Sequence, residues 1–341
     1  MPVLGLIFCA LTILIWGVTF VNTKVLLADF NSFEILVIRF ALAYAVLWAI
    51  KPRRFSVGGW RQELHFAAMG LSGVAAYQFL ENWAIGCTNA SNVAILVSAC
   101  PMGTAILSSL VLGARVLSWR FLLGFVLAMS GIVLVCLGGI REFHFSPFGD
   151  FIAVCAMFCW SVYSVLITKA NVKGFGPILA IRRTFFWALV LMLPFLPFHF
   201  DFDPAVNAAR FAKGWNLFHL GFLGVFASAV AFCLWNKTCG ILGTVRATCA
   251  IYASPAVTAV VAYFVLGESL TAMTGFGAVL TLLGVMTSSA APAKGRRDDA
   301  KVMEICNLTE KQAGDILAKL LDSGEIVAEG KERATTYGLA R

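Results

Sequence analysis

Few side chains in this sequence can do chemistry, and those that can lie inside apolar runs. Tyr77, Gln78 and Glu81 fall at i, i+1 and i+4, hence on one helix face, with Asn82 beside them. A carboxylate so placed can alternate between charged and neutral forms, while the phenol and the amide hold an amine or hydroxyl of a small solute against it. Thr244, Thr248 and Tyr252, four apart and followed by Pro255, form a second stripe, and Ala94, Ser98, Pro101 and Ala105 form its counterpart. These offer hydroxyls to a solute, or the small-residue faces through which helices pack closely. Trp16 with Phe20, and Trp160 with Ser164, sit one turn apart near the middle of two further runs. Their rings can stack on an amphipathic solute without a fixed polar partner, or serve as packing volume.

The basic groups Lys24, Arg39, Lys169, Arg182 and Arg183 lie toward run ends, where long side chains reach headgroups. Arg39 is the deepest, with a solute carboxylate or Glu34 as its expected partner. H-F-D-F-D (199–203) would set His199, Asp201 and Asp203 on one side if extended, as a divalent-ion grip or as a loop rim carrying interfacial aromatics. No nucleophile with a base, phosphate loop or metal motif occurs. The ten cysteines form no C-x-x-C pair, and Cys155 with Cys159 is an i, i+4 helix pair without imidazole partners. Enzyme chemistry, a cofactor and a bound metal are therefore not expected.

Composition decides which elements position these groups. Of 341 residues, 60% are hydrophobic and 13% charged, and mean hydropathy is +0.85. A water-soluble fold cannot hide that much hydrocarbon, whereas a bilayer solvates it. Runs near the roughly 20 residues that cross a hydrocarbon core are found at 3–27, 33–50, 64–86, 90–112, 120–140, 148–168, 177–198, 216–236, 244–266 and 272–291. Each must satisfy its own backbone hydrogen bonds, and the pattern lacks the alternation of a barrel, so the spans are helices. The first run is too long for a signal-peptide core and lacks a basic leader, so it is expected to remain as span one.

The formal charge of +8 belongs to the membrane part, because residues 294–341 balance nine basic against nine acidic groups. It reports orientation rather than nucleic-acid binding. Alternate gaps hold Lys51, Arg53, Arg54, Arg61, Arg115, Arg120, Lys169, Lys173, Lys237, Arg246, Lys294, Arg296 and Arg297; the others hold Arg141, Arg210 and Lys213, with Lys24 at a span end. The excess places both termini in the cytoplasm.

The sequence also repeats. Trp16 and Trp160, like Arg39 and Arg183, are 144 apart; Gly70 and Gly224, Asn82 and Asn236, Pro101 and Pro255, and Gly113 and Gly267 are 154 apart; Gly124 and Gly277, and Gly131 and Gly284, are 153 apart. The ten extra residues fall around 199–215. Each repeat holds five spans, an odd number, so the second copy enters from the opposite face, an arrangement that characterises secondary transporters with a solute site between the halves.

W-G-V-T-F-V-N-T-K (16–24), Arg39, Pro101 and L-G-E-S-L-T (266–271) before a Gly-punctuated last span give a sequence that resembles the EamA-type drug/metabolite transporter superfamily over residues 3–291. The resemblance implies a ten-helix carrier exporting small metabolites, amino acids or drugs, with a cavity lined by spans one, three, four, six, eight and nine. Ala114 and Arg115 stand where the family often has glutamate, which Glu268 keeps in the second copy.

The expected fold is thus an all-α integral membrane protein of ten transmembrane helices in two inverted five-helix repeats (1–140 and 148–291), with a cytoplasmic linker and tail (292–341). The tail reads as a winged-helix-like α/β unit: a short helix, an amphipathic helix whose Ile316, Leu317, Leu320 and Leu321 share a face, and a hairpin around Gly330. Acidic Glu310, Asp315 and Asp322 on its second helix speak against nucleic acid, and docking onto the transporter or a protein partner is expected instead. The expected function is alternating-access export of a small amphipathic solute across a bacterial inner membrane, with proton coupling through Glu81. A membrane-embedded ligand sensor signalling through the tail is the rival, and a lipid or nucleotide-sugar carrier a third reading.

Overall fold

The computed structural model describes residues 2–53, 57–87, 90–113, 116–137, 146–172, 175–266, 271–289, 326–329 and 336–339. The chain divides into two units, Met1–Pro292 and Ala293–Arg341. The regular structure of the first, among its described residues, is helical: α1 (Pro2–Leu26), α2 (Ser32–Ile50), α3 (60–87), α4 (90–112), α5 (Trp119–Leu137), α6 (Pro147–Val172), α7 (177–199), the short α8 (Pro204–Ala212), α9 (214–242), α10 (244–266) and α11 (Ala272–Ser289). Among the described residues, eight helices are long and apolar enough to cross a membrane: α1, α2, α4, α5, α6, α7, α9 and α10. Apolar α11 is shorter, and α3 opens on the polar stretch Trp60–His65. The chain is a multi-pass membrane protein.

Hydrogen bonds sort the connections onto two ends of the bundle. On one, Arg182 of α7 donates to the carbonyls of Lys51 and Arg53, Arg183 pairs with Glu63, His65 Nε2 meets Leu166 O at 3.0 Å, and Thr168 bonds Thr244. On the other, Asn31 Nδ2 donates to His199 O (2.8 Å), Ser146 Oγ to Cys87 O (2.9 Å), and Lys213 pairs with Asp29. Thus α1, α2, α3, α6, α7 and α9 each run from one end to the other.

α2 begins with a capping box. Asn31 Oδ1 accepts from Glu34 N at 2.9 Å, and Glu34 Oε2 accepts from Asn31 N at 2.7 Å, so two otherwise unpaired donors are satisfied. Buried Glu34 also takes Arg210 Nη1 of α8 at 3.0 Å and the backbone N–H of Asp201 at 3.1 Å. The expected pairing of Arg39 with Glu34 is therefore replaced by Glu34–Arg210, because the loop before α8 folds back over the start of α2. The acids of 199–203 are engaged as well: Asp201 pairs with Arg210 (3.3 Å), and Asp203 caps α8 through Ala205 N (2.8 Å). That segment is a loop rim, and no group of metal-ligating side chains occurs among the described residues.

The repeat-related prolines Pro101 and Pro255 interrupt their helices at related places. α4 breaks at Ala99 just before Pro101, and α10 tightens to a 3-10 turn at Ala250–Ala253 before Pro255, as expected where a proline removes a backbone donor. α3 and α9 each contain a π-helical stretch, Leu71–Ala75 and Phe222–Val230. The 154-residue offset superimposes the first on the middle of the second.

α5 and α11 pack closest. A Cβ on Gly124 would lie 2.7 Å from Ser288 Cα, one on Gly284 2.6 Å from Ala128 Cα, one on Gly131 2.5 Å from Gly277 O, and one on Gly277 2.7 Å from Val135 N. As the number rises along α5 it falls along α11, so the two helices are antiparallel.

In the second unit, β1 (Ile326–Glu329) and β2 (Thr336–Leu339) form an antiparallel pair with Ile326 opposite Leu339 and Glu329 opposite Thr336. The hairpin was expected. Both helices expected before it lie outside the described residues, and two strands alone do not make a winged helix.

Candidate functional site

α1, α3, α6 and α9 converge on a cluster of rings. Trp16 of α1 meets Trp160 of α6 edge-on, centroids 5.6 Å apart with the planes at 79°; Phe232 and Trp235 of α9 lie 5.6 and 5.2 Å from Trp16. Tyr77 of α3 and Tyr163 of α6 flank Trp160 at 5.1 and 5.2 Å. Below them Phe232 meets Phe185 of α7 (5.2 Å), which meets Phe40 of α2 (4.9 Å). These separations suit offset or edge-to-face ring pairs. Phe40, Tyr163 and Trp235 are buried in the same apolar core as Trp160.

Polar groups enter this apolar setting from three sides. On α3, Tyr77 OH donates to Glu81 Oε1 at 2.9 Å, across one helical turn. On α2, Arg39 is buried; its Nε donates to Ser228 Oγ at 3.0 Å, its guanidinium lies 5.1 Å from the Phe40 centroid, and its charge reaches Glu81 and Tyr77. On α1, Trp16 Nε1 donates to Ala227 O at 3.1 Å. Ala227 and Ser228 both belong to the π-helical stretch of α9, which offers a backbone carbonyl to Trp16 and a side-chain hydroxyl to Arg39. That stretch therefore holds the rings of α1 and the cation of α2 in register.

Close approach is possible because glycines face bulky side chains. At Gly73, in the π-helical stretch of α3, a Cβ would lie 2.5 Å from Tyr163 Cγ, and at Gly17 a Cβ would lie 2.7 Å from Val257 Cβ of α10. Only glycine admits those neighbours without moving a helix.

Of the residues singled out by sequence, Trp16, Tyr77, Glu81 and Trp160 come together here. Gln78 is half-buried on α3 beside Tyr77. Ser164 is buried near the cluster and spends its hydroxyl on Trp160 O (2.9 Å), and Thr248 spends its own on Val245 O (2.9 Å). Ser98 is buried at the break of α4. Tyr252 lies in a separate core with Ala105, Phe121 and Ile132. Phe20 follows Trp16 by one turn of α1, and its side chain, like that of Asn82, lies outside the described residues. Sequence reasoning missed Tyr163, Phe232 and Trp235. The repeat would have exposed the last: it stands 154 residues after Glu81, at the same register position of the second half.

A hollow of about 720 Å³ lies between the start of α2, Phe79 and Trp83 of α3, and Phe198–Asp201. Outside the membrane run, Asp29 is held below the ordinary aspartate range by hydrogen bonds from Lys213 and Asn216, with the charges of Lys213 and Arg210 adding to them.

The EamA-like transporter family matches residues 3–137 and again 147–290. Among similar proteins, an uncharacterised transporter of Archaeoglobus fulgidus is 29% identical over 82% of this chain and 96% of its own. A probable terminal-alkyne amino-acid exporter of Streptantibioticus cattleyicolor is 26% identical over 84% and 94%, and the uncharacterised transporter YyaM of Bacillus subtilis is 26% identical over 80% and 89%. One solved crystal structure superimposes with a TM-score of 0.66 at 18% identity, covering 83% of this chain and 95% of that one, a likeness of fold alone.

Proposed function

The chain belongs to the EamA-like transporter family, and from that premise we propose that this membrane transporter is a secondary carrier that exports small amphipathic solutes, amino acids or related metabolites and drugs, by alternating access. One observation carries the reading. A hydrogen-bonded Tyr77–Glu81 pair is set against rings supplied by both halves of the chain, Trp16 and Trp160 at equivalent positions. Such a site offers apolar area, a carboxylate for an amine, and residues from elements able to move against each other. The amino-acid exporter among the relatives favours an amine-bearing solute.

The architecture we infer is ten membrane crossings in two inverted five-helix repeats, with both termini cytoplasmic in a bacterial inner membrane. The two separate family matches, the antiparallel α5–α11 contact, the related π-helical stretches and the basic excess on alternate connections support it. Such duplication favours transport over a ligand sensor, since sensing alone has no need of inverted halves. We further infer that Glu81 is the proton-coupling group, so that proton and solute compete for it. Glu81→Gln protein in proteoliposomes should retain downhill exchange and lose pH-driven uptake; a full response to an imposed pH gradient removes the coupling role. Comparing small metabolites in medium from overexpressing and deletion cells tests export itself, and deletion of residues 293–341 with flux retained speaks against the sensor reading.

A further inference from the structure

The two halves present opposite chemistry at matched positions. Trp16 and Trp160 are equivalent, yet only Trp16 has its indole N–H bonded, to Ala227 O. The residue equivalent to Ala227 is Gly73, 154 residues earlier, and the ring of Tyr163 packs against its Cα side. Trp160 Nε1 is buried with no hydrogen-bond partner. So are Tyr163 OH and Trp235 Nε1, on rings 5.2 and 6.4 Å from Trp160. All three side chains are more than nine-tenths buried. Buried donors without acceptors are uncommon because each forfeits the hydration it had in water. With Tyr163 and Trp235 each against Trp160, the three form a local excess of donors. The first half supplies the reverse: Glu81, an acceptor, occupies the position that Trp235 holds in the second half.

We propose that the ring cluster takes its solute in one orientation. An acceptor group of the solute, a carbonyl or carboxylate, receives the indole N–H groups of Trp160 and Trp235 and the hydroxyl of Tyr163, and its amine faces Tyr77 and Glu81. The ligand class is an amphipathic amine carrying an acceptor a few bonds away, and neutral donors rather than an arginine select that acceptor. The proposal rests on the carrier reading and adds a polarity to it. Binding supplies each donor with the partner it lacks, so recognition strength concentrates in three atoms of the second half, while the rings themselves give area without selectivity between acceptor-bearing and acceptor-free amines.

The test uses the full chain in lipid nanodiscs and three probes matched in ring and amine: phenethylamine, which has no acceptor, phenylalanine amide and phenylalanine. Equilibrium dialysis should show wild type preferring both acceptor-bearing probes over phenethylamine. Trp160→Phe, Trp235→Phe and Tyr163→Phe each remove one donor and keep a ring, and each should cut that preference about tenfold, the effect of one hydrogen bond. Size-exclusion behaviour and unfolding temperature establish which variants are folded, and Tyr163→Phe, which loses a single oxygen, is the variant least able to disturb packing. Equal affinity of wild type for all three probes overturns the proposal. So does a preference that survives in folded variants, or no binding of any probe at millimolar concentration. Solute flux from cells and vesicles decides the carrier reading separately, so a failure of polarity leaves that reading intact.

Discussion

Replacing Gly284 by alanine adds one methyl group where α5 and α11 touch. That Cβ would lie 2.6 Å from Ala128 Cα and 2.7 Å from Ala128 Cβ. Carbon atoms in ordinary contact are about 3.5–4.0 Å apart, so the helices must separate by roughly 1 Å at this point. A gap of that size forfeits about a quarter to a half of each neighbouring dispersion contact, and between membrane helices close packing is a principal source of association. Overpacking of this kind costs about 1–3 kcal/mol. Alanine's better helix propensity returns only about 1 kcal/mol. Gly275, on the same helix with nothing within 4 Å of its would-be Cβ, supplies the control: Gly275→Ala receives the propensity gain and meets no clash. The two variants should therefore differ by about 2 kcal/mol, with Gly284→Ala the less stable. Unfolding of each, followed in detergent by reactivity of the buried cysteines, measures the difference. Equal stability, or a more stable Gly284→Ala, refutes the antiparallel glycine contact.

Alanine in place of Trp16 or Trp160 should weaken solute binding tenfold or more while folded yield falls less, and equal losses of both would return the rings to packing alone. A cysteine at Ala208 in a thiol-free background should react with an impermeant reagent from outside the cell and one at Leu117 should not; the reverse pattern removes the inverted-repeat topology. The depressed Asp29 carboxyl gives a pH signature of fixed sign. Because its folded value lies below the unfolded one, its contribution is complete above the ordinary aspartate value near 4 and is lost as pH falls through the lowered value. Wild type should exceed Asp29→Asn in unfolding temperature at pH 7, and the two should converge as pH falls through the lowered Asp29 value, a prediction that an unchanging gap would overturn.

The helices were legible because apolar runs of membrane-spanning length leave the backbone one solution, and the ten expected spans coincide with helical segments apart from end residues. The prolines, the equivalence of Trp16 and Trp160 and the Tyr77–Glu81 face were readable for a related reason: helical periodicity and duplication are local or register properties, whereas the contact between the two tryptophans was not foreseen. Partner choice was not. Whether Arg39 faces Glu34 depends on where the loop before α8 folds, and that segment brings Arg210 to Glu34 from 176 positions away. The π-helical stretches were also invisible, since neither L-S-G-V-A nor F-L-G-V-F-A-S-A-V carries a pattern distinguishing i→i+5 from i→i+4 pairing, and the bonds that Ala227 and Ser228 make to other helices appear only in the structure.

What duplication conceals is the departure from it. Matched positions attract attention when their residues agree, as with the two tryptophans, yet a carrier with two identical halves would offer its solute two identical faces. The useful differences are Glu81 against Trp235, Tyr77 against Ala231, and a ring of Tyr163 where Thr19 stands in the first half. Each substitutes an acceptor, a donor or bulk at one pole only. On the inverted-repeat reading proposed above, pseudo-symmetry would supply two conformations of similar energy, and these departures would give one solute orientation an advantage over its reverse. Polarity at the site and symmetry of the scaffold are therefore separable, and the donors of Trp160, Tyr163 and Trp235 can be altered without touching the α5–α11 contact or the capped start of α2.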